Sequence, residues 1–250
     1  MIMSPERNRR VFVAGASGAI GRRLCRLLTD DGWSVVGTTR STEKASMLQD
    51  MGVEPAVVDV FDEASLNDAV RRAQPDFVIH QLTDLPPALD PAKMPEALLR
   101  NARIRETGTR NLIAAAAAAG AKRMIAQSIA FAYAPGPTPY REEAPLNLED
   151  PKFGPTARGV ASLERQVLAA PLEGIVLRYG KLYGPGTGFD RPPSGGPLHV
   201  DEAADAARLA LTRGKAGIYN IAGEDGTVAC AKAADALGWK PGFRLDEHRR

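Results

Sequence analysis

Residues 10–28 read RVFVAGASGAIGRRLCRLL, and the glycines in the middle decide how the rest of the chain is read. RVFVA is an apolar, β-branched run of strand length. After the glycines, Ile20, Leu24, Leu27 and Leu28 recur at helical spacing, and Gly32 stands where it can cap the helix end. Between strand and helix lies Gly15-Ala-Ser-Gly18-Ala-Ile-Gly21. In such a turn the first glycine permits a tight exit from the strand and the second lets backbone approach a pyrophosphate. The third allows helix to pack on strand, and the anion sits at the positive helix N-terminus. The strand, turn and helix together predict a dinucleotide-binding turn.

Working outward, strand-like and helix-like segments keep alternating. WSVVGTT, PAVVDV, DFVIHQL, KRMIAQSI, GIVLRYG and GIYNIAG read as further strands, separated by helical patterns that include one long stretch over residues 97–120. Strands this continuously apolar predict a parallel sheet covered by helices on both faces. The texture changes after Ser128: AYAPGPTPYREEAPLNLEDPKFGP is rich in proline and polar residues and reads as an excursion over the top of the sheet, where such folds bind substrates. A second Gly/Pro loop, YGPGTGFDRPPSGGP, follows, and the chain ends in a weakly periodic tail. The expected class is α/β, a doubly wound parallel sheet forming one nucleotide-binding domain over 1–250. Its reduced substrate-binding part is expected mainly from 131–155 and 183–250.

Composition removes several function classes. Thirty-two basic residues against thirty acidic ones give a net charge of +2 without a basic run, so nucleic acid is not an expected partner. Cys25 and Cys230 are far apart and have no metal-ligand spacing around them, so they are expected to act as small hydrophobes and no metal site is expected. No apolar run is long enough to span a bilayer, and the polar start MIMSPERNRR has no signal-peptide core. A soluble, cytoplasmic protein is expected.

The end of the second strand bears on which dinucleotide binds. Where a carboxylate would take the ribose 2′-OH of NAD, this chain has Thr38-Thr39-Arg40-Ser41. Arg40 can hold a 2′-phosphate through charge-assisted bonds, with Thr38, Thr39 or Ser41 adding hydroxyls. NADP(H) is therefore expected in preference to NAD(H). Asp59, after the third strand, is placed either to accept from the adenine amino group or to serve as an ordinary turn residue.

With these residues in hand, the chain resembles the short-chain dehydrogenase/reductase superfamily, in its extended or atypical branch of NAD(P)-dependent epimerase/dehydratase-like proteins. GASGAIG, Asp59-Val60, DFVIHQLT, GTRNLIAAA, AQSIAFAY, LRYGKLYGPG and HVDEAADA follow in that family's order. The resemblance implies a Rossmann sheet of about seven strands with a small C-terminal substrate-binding part. It places the cofactor on Gly15, Ser17, Gly18, Ala19, Ile20 and Gly21, on Thr39 and Arg40, on Asp59 and Val60, and on Gln81 and Leu82. Gly108 and Thr109 are expected to serve helix packing. The family's dimers imply an interface through the helices corresponding to 92–119 and 156–170, although a buried intramolecular face would explain the alanine run 114–119 equally well.

The same resemblance implies hydride transfer at a carbon bearing oxygen, with a serine polarising that oxygen, a tyrosine moving the proton, and a lysine holding the ribose and lowering the tyrosine pKa. Ser128 matches the serine, five residues before Tyr133, with Ala134 in place of the family's following glycine. On the helix FGPTARGVASLERQV, however, alignment on Glu164 puts Thr156 at the tyrosine position and Val160 at the lysine position, and neither can carry a proton at neutral pH. Arg105 stands where the family often has asparagine. Tyr179 with Lys181 is a candidate replacement, Tyr133 another; all three tyrosines of the region, Tyr183 included, could instead be pocket walls. His80 is expected to be a satisfied core histidine, and His199 structural. Only TGFDRPPSGGPL separates the YGPG turn from HVDE, which argues for a small carbonyl or hydroxyl substrate over a nucleotide sugar. The expected activity is that of an NAD(P)-dependent oxidoreductase; the alternatives are a catalytically silent NADP(H)-binding sensor or scaffold, and an epimerase or dehydratase with tightly held cofactor.

Overall fold

A computed structural model describes residues 9–246. Its elements run β1 (Arg10–Ala14), α1 (Ala19–Asp30), β2 (Ser34–Thr39), α2 (Thr42–Asp50), β3 (Glu54–Val57), α3 (Glu63–Ala73) and β4 (Phe77–His80). Then come α4 (Met94–Arg103), α5 (Thr109–Ala118), β5 (Arg123–Ile129), α6 (Gly154–Leu168), β6 (Glu173–Tyr179), β7 (Lys181–Tyr183), β8 (Pro197–His199), α7 (Val200–Ala210), β9 (Gly217–Ile221) and α8 (Ala231–Leu237). Seven strands form one sheet in the order β3-β2-β1-β4-β5-β6-β9, every neighbouring pair parallel. The strand order turns back between β1 and β4, which opens a crevice at their C-terminal ends. The Rossmann-like sheet expected from the alternation is present.

Because successive strand side chains face opposite ways, the two apolar faces are built from alternate residues of the same strands. Val11, Val13, Ile79, Ile125, Ile175 and Leu177 pack with Leu24 and Leu28 of α1 and with the alanines of α7. Phe12, Ala14, Val78 and Met124 turn the other way, onto Leu66 and Val70 of α3 and Leu112, Ala115 and Ala116 of α5. Each fully buried leucine of this kind contributes about 1.5–3 kcal/mol. The alanine run therefore has an intramolecular partner for its inner face, while Ala114 and Ala118 are exposed. Local signals set the helix ends: the Ser41 hydroxyl accepts the Lys44 N–H to begin α2, and Asp62 accepts the Ser65 N–H to begin α3.

Three features were not legible in the periodicity. The stretch 97–120 is two helices, joined through a π-helical turn, Ile104–Gly108. Gly108 in that turn lies against Val60, where a Cβ would stand 3.0 Å from Cγ1. β7 and β8 pair in parallel as a separate small ribbon. The tail is docked: Trp239 is 1 % exposed and donates its indole N–H to the Glu202 carbonyl at 3.1 Å. Among the described residues no helix is long and apolar enough to cross a membrane. Burial raises the Cys25 thiol to about 12 and the Cys230 thiol to about 11.

Candidate cofactor and active site

The glycine turn has the shape its sequence requires. Gly15 adopts φ +90°, and a Cβ there would stand 2.6 Å from the Gln81 carbonyl oxygen; a Cβ on Gly21 would overlap the Gly15 carbonyl. Gly18 meets only the Gly15 oxygen at 3.3 Å, so its outer side is open in front of α1. The Gly15 N–H donates to Thr38 Oγ1 at 3.0 Å, and Ser17 Oγ donates to Thr39 Oγ1 at 3.3 Å, tying the turn to the end of β2. Two buried polar atoms among the described residues lack a partner: Arg22 Nε, one helical turn beyond Gly18, and Gln81 Oε1 at the end of β4. A cradle closed to side chains, a helix N-terminus and orphaned polar atoms beside it fit a dinucleotide.

At the end of β2 Arg40 is exposed and pairs with Asp84 Oδ1 at 3.1 Å, while Asp84 Oδ2 takes Arg100 Nε at 2.9 Å. Thr38 Oγ1 accepts the Gly15 N–H, Ser41 Oγ accepts the Lys44 N–H of the α2 cap, and Thr39 Oγ1 accepts from both Ser17 Oγ and the Ser41 N–H. Asp59 accepts the Phe61 N–H at 2.9 Å, and Val60 is buried with its carbonyl accepting from Asn111. Ala19 and Ile20 begin α1, and the Leu82 N–H donates to His80 Nδ1 at 3.3 Å.

That bond leaves the proton of a neutral His80 on Nε2, which lies 3.1 Å from Thr109 Oγ1. Burial first, then the charge of Arg105, lowers the His80 pKa to about 4. His80 is a hydrogen-bonded core residue, and Thr109 serves its placement. His199 caps α7, its Nδ1 accepting the Asp201 N–H while Glu202 accepts the His199 N–H.

Beside Ser128 a buried ion pair joins β6 to α6. Arg178 of β6 donates to both oxygens of Glu164 on α6, at 2.8 and 2.7 Å, and Ser128 donates to Glu164 Oε1 at 2.7 Å. Arg178 also donates to Tyr133 Oη at 2.9 Å, and Tyr133 donates to Asn220 Oδ1 at 2.6 Å. Desolvation raises the Tyr133 pKa, only partly opposed by Arg178. The network links Ser128 to Tyr133 through Glu164 and Arg178, with Asn220 accepting from Tyr133; none of these three was among the candidates drawn from the sequence. The available signal was a lone arginine inside the apolar strand GIVLRYG.

Tyr179 lies elsewhere. Ser128 stands beside Arg178 in the β5/β6 register and Ile129 beside Tyr179, so the pleat turns Tyr179 to the opposite face. Its hydroxyl accepts from Gln81 Nε2 at 3.1 Å and donates to the Ala203 carbonyl at 3.0 Å, and burial raises its pKa. Lys181 donates to the Ser194 carbonyl at 2.9 Å, away from Tyr179's partners. The geometry gives no support to a Tyr179–Lys181 proton carrier beside Ser128. Tyr183 packs edge-on against His199 and accepts from Arg244. On α6, Val160 is fully buried against Ile129 and Ala132, and Thr156 is 5 % exposed.

Comparison with known proteins bears on the family and the fold. The model of the NAD dependent epimerase/dehydratase family matches residues 11–195. The chain is 43% identical over 256 aligned positions to a 3-diazoavenalumate denitrifying reductase of a Streptomyces species, covering 94% of this chain and 80% of that protein. A ketoreductase of Stigmatella aurantiaca that acts on 4-hydroxy-2-methyl-3-oxo-4-farnesyl-3,4-dihydroquinoline-1-oxide is 32% identical over 116 residues, 46% of this chain and 32% of that protein. In fold, the UDP-glucose 4-epimerase of Thermotoga maritima, solved with UDP-glucose, superposes with a TM-score of 0.77 over 94% of both chains at 18% identity. Glycine cradle, sheet order and these matches lead to one conclusion: the chain belongs to the NAD-dependent epimerase/dehydratase family and is an NAD(P)-dependent oxidoreductase of the atypical short-chain dehydrogenase/reductase type.

Proposed function

We propose that this protein is an NADP(H)-dependent reductase of a small molecule whose reduction takes no proton from the enzyme, and that an arenediazonium compound, its quinone-diazide resonance form included, is its substrate class. The observation that carries the reading is the pair Thr156 and Val160: both are packed into α6 where the family keeps its phenol and ammonium, and Ser128's proton is already given to Glu164. When bound, the reduced nicotinamide supplies a hydride. A carbonyl that accepts a hydride becomes an alkoxide and must then be protonated. A diazonium carbon that accepts one becomes C–H and releases dinitrogen, so R–N2⁺ plus H⁻ gives R–H plus N2 with no proton required. The kinship to a reductase named for a diazo substrate supports the same class.

The chain's own residues then bind and orient. Gly15, Ser17, Gly18, Ala19, Ile20 and Gly21 cradle the pyrophosphate, Thr39 and Arg40 face the 2′-phosphate, Asp59 and Val60 border the adenine, and Gln81 and Leu82 border the middle of the cofactor. Residues 131–155 and 183–250 serve as the reduced substrate-binding part, in a cytoplasmic enzyme that pairs with a second copy through α4, α5 and α6. Reduction of a small carbonyl is the second reading, favoured by Ser128 at its family position; turnover would then draw its proton from water.

The test is anaerobic incubation of the enzyme with 4-deuterated NADPH and a diazotised aminocinnamic acid, beside a panel of small ketones and aldehydes. Dinitrogen release above the enzyme-free rate, with deuterium at the former C–N carbon, supports the proposal. NADPH consumption with carbonyls alone replaces it by the second reading, and consumption with neither overturns both.

A further inference from the structure

Arg105 is a cation without a partner. Its backbone carbonyl accepts from Gln166, but among the described residues its guanidinium makes no hydrogen bond and no ion pair. Glu164 is the carboxylate whose charge reaches it, yet both Glu164 oxygens are already taken, by Arg178 and by Ser128. Desolvation lowers the Arg105 pKa to about 10, and the charge of Glu164 opposes that shift only in part. The side chain is only partly buried, so the guanidinium stays reachable while no protein carboxylate is bonded to it.

Its position is defined by neighbours on three elements. Arg105 stands in the π-helical turn Ile104–Gly108, and such turns often occur at functional sites. Its stem crosses α6 at Gly159, where a Cβ would come within 3.5 Å of Arg105 Cδ. The missing side chain at Gly159 thus makes room for the arginine one residue before Val160. One turn further on, Thr109 meets His80 Nε2 at 3.1 Å at the end of β4, so the guanidinium stands within electrostatic reach of His80 and of Glu164, which holds Ser128. The cation therefore lies over the C-terminal ends of β4 and β5, on the reacting side of the crevice, while the glycine cradle and Arg40 serve the phosphates at β1 and β2.

We propose that Arg105 is a specificity-determining residue that binds an anionic group of the substrate, a carboxylate above all, through its two-pronged N–H fork. The inference rests on the reading of the crevice as a reductase site, and adds that the substrate is an acid. Guanidinium donors in a fixed plane match the two oxygens of a carboxylate, and the charge that the fold leaves open is filled when the acid enters. With Arg105 holding the acid, the rest of the molecule is aligned against the nicotinamide position by an attachment remote from the reacting carbon.

The experiment uses the full chain loaded with NADP⁺, and calorimetric titration with matched acid–amide pairs: cinnamate and cinnamamide, benzoate and benzamide, sorbate and sorbamide. For wild type we expect at least one acid to bind tenfold or more tighter than its amide, Arg105→Met to erase that preference, and Arg105→Lys to keep part of it. Thermal unfolding of the unliganded protein supplies an independent readout: loss of an unpaired, partly desolvated charge leaves Arg105→Met at least as stable as wild type. No acid preference in any pair, or a preference that survives Arg105→Met, overturns the proposal. So does a tenfold weakening of NADPH binding by Arg105→Met in the absence of acid, which would give the cation to the cofactor. Failure of the reductase reading is separately visible, since it would abolish NADPH consumption while leaving the acid–amide comparison readable.

Discussion

Ser128 and Arg178 stand side by side in the β5/β6 register and both close on the carboxylate of Glu164, at 2.7 Å and at 2.8 and 2.7 Å. The pair of strands thus presents one face to α6, and a single buried carboxylate fixes the serine, the arginine and, through it, Tyr133. Glu164→Gln leaves Arg178 buried without a counter-charge and is expected to cost about 3–5 kcal/mol of stability. Glu164→Leu combined with Arg178→Met removes both charges and is expected to cost less than Glu164→Gln alone. Urea unfolding of the variants measures both; equal losses would mean that the ion pair is not what holds α6 to β6.

Arg40, proposed to take the 2′-phosphate, is held by Asp84. Arg40→Ala is expected to weaken NADPH binding about 10- to 100-fold, the worth of roughly 1.5–3 kcal/mol of charge-assisted hydrogen bonds, and to leave NADH nearly unchanged. Asp84→Asn removes the carboxylate that competes for Arg40 and is expected to tighten NADPH. Calorimetry with both nucleotides checks the pair; parallel loss for NADPH and NADH would take the 2′-phosphate away from Arg40.

Tyr179 lies on the far face of the sheet from Ser128. Tyr179→Phe removes a hydroxyl shared by Gln81 and the Ala203 carbonyl, and is expected to lower stability by about 1–2 kcal/mol while changing turnover less than twofold. A large fall in turnover at unchanged stability would restore Tyr179 as a proton carrier.

His80 links stability to pH. Its pKa in the folded chain, about 4, is below the ordinary value of 6.5, so below pH 6.5 the unfolded chain takes up a proton that the folded chain refuses. The stability it contributes is complete above pH 6.5 and is lost as pH falls toward 4, a change on the order of 3 kcal/mol. His80→Gln is expected to flatten the stability profile between pH 6.5 and 4. An unchanged slope would assign the acid loss to other groups.

The sequence by itself determined the sheet and the cofactor cradle. Both are local: alternating apolar runs specify strands and helices by periodicity, and GASGAIG sets its turn within seven residues, Gly15 and Gly21 being demanded by the backbone they stand against. By the family resemblance it also implied that Thr156 and Val160 stand in place of the proton-carrying pair. Only the tertiary structure decided what stands around that loss. Glu164 and Arg178 are fourteen residues apart, and Tyr133 and Asn220 eighty-seven; their meeting depends on strand register and on which face of the sheet each side chain takes. A shift of one residue along β6 separates Arg178 in the site from Tyr179 in the opposite core, because strand side chains alternate. The open charge of Arg105 was likewise invisible in one dimension, since an arginine is unpaired only relative to every carboxylate that folding brings near it.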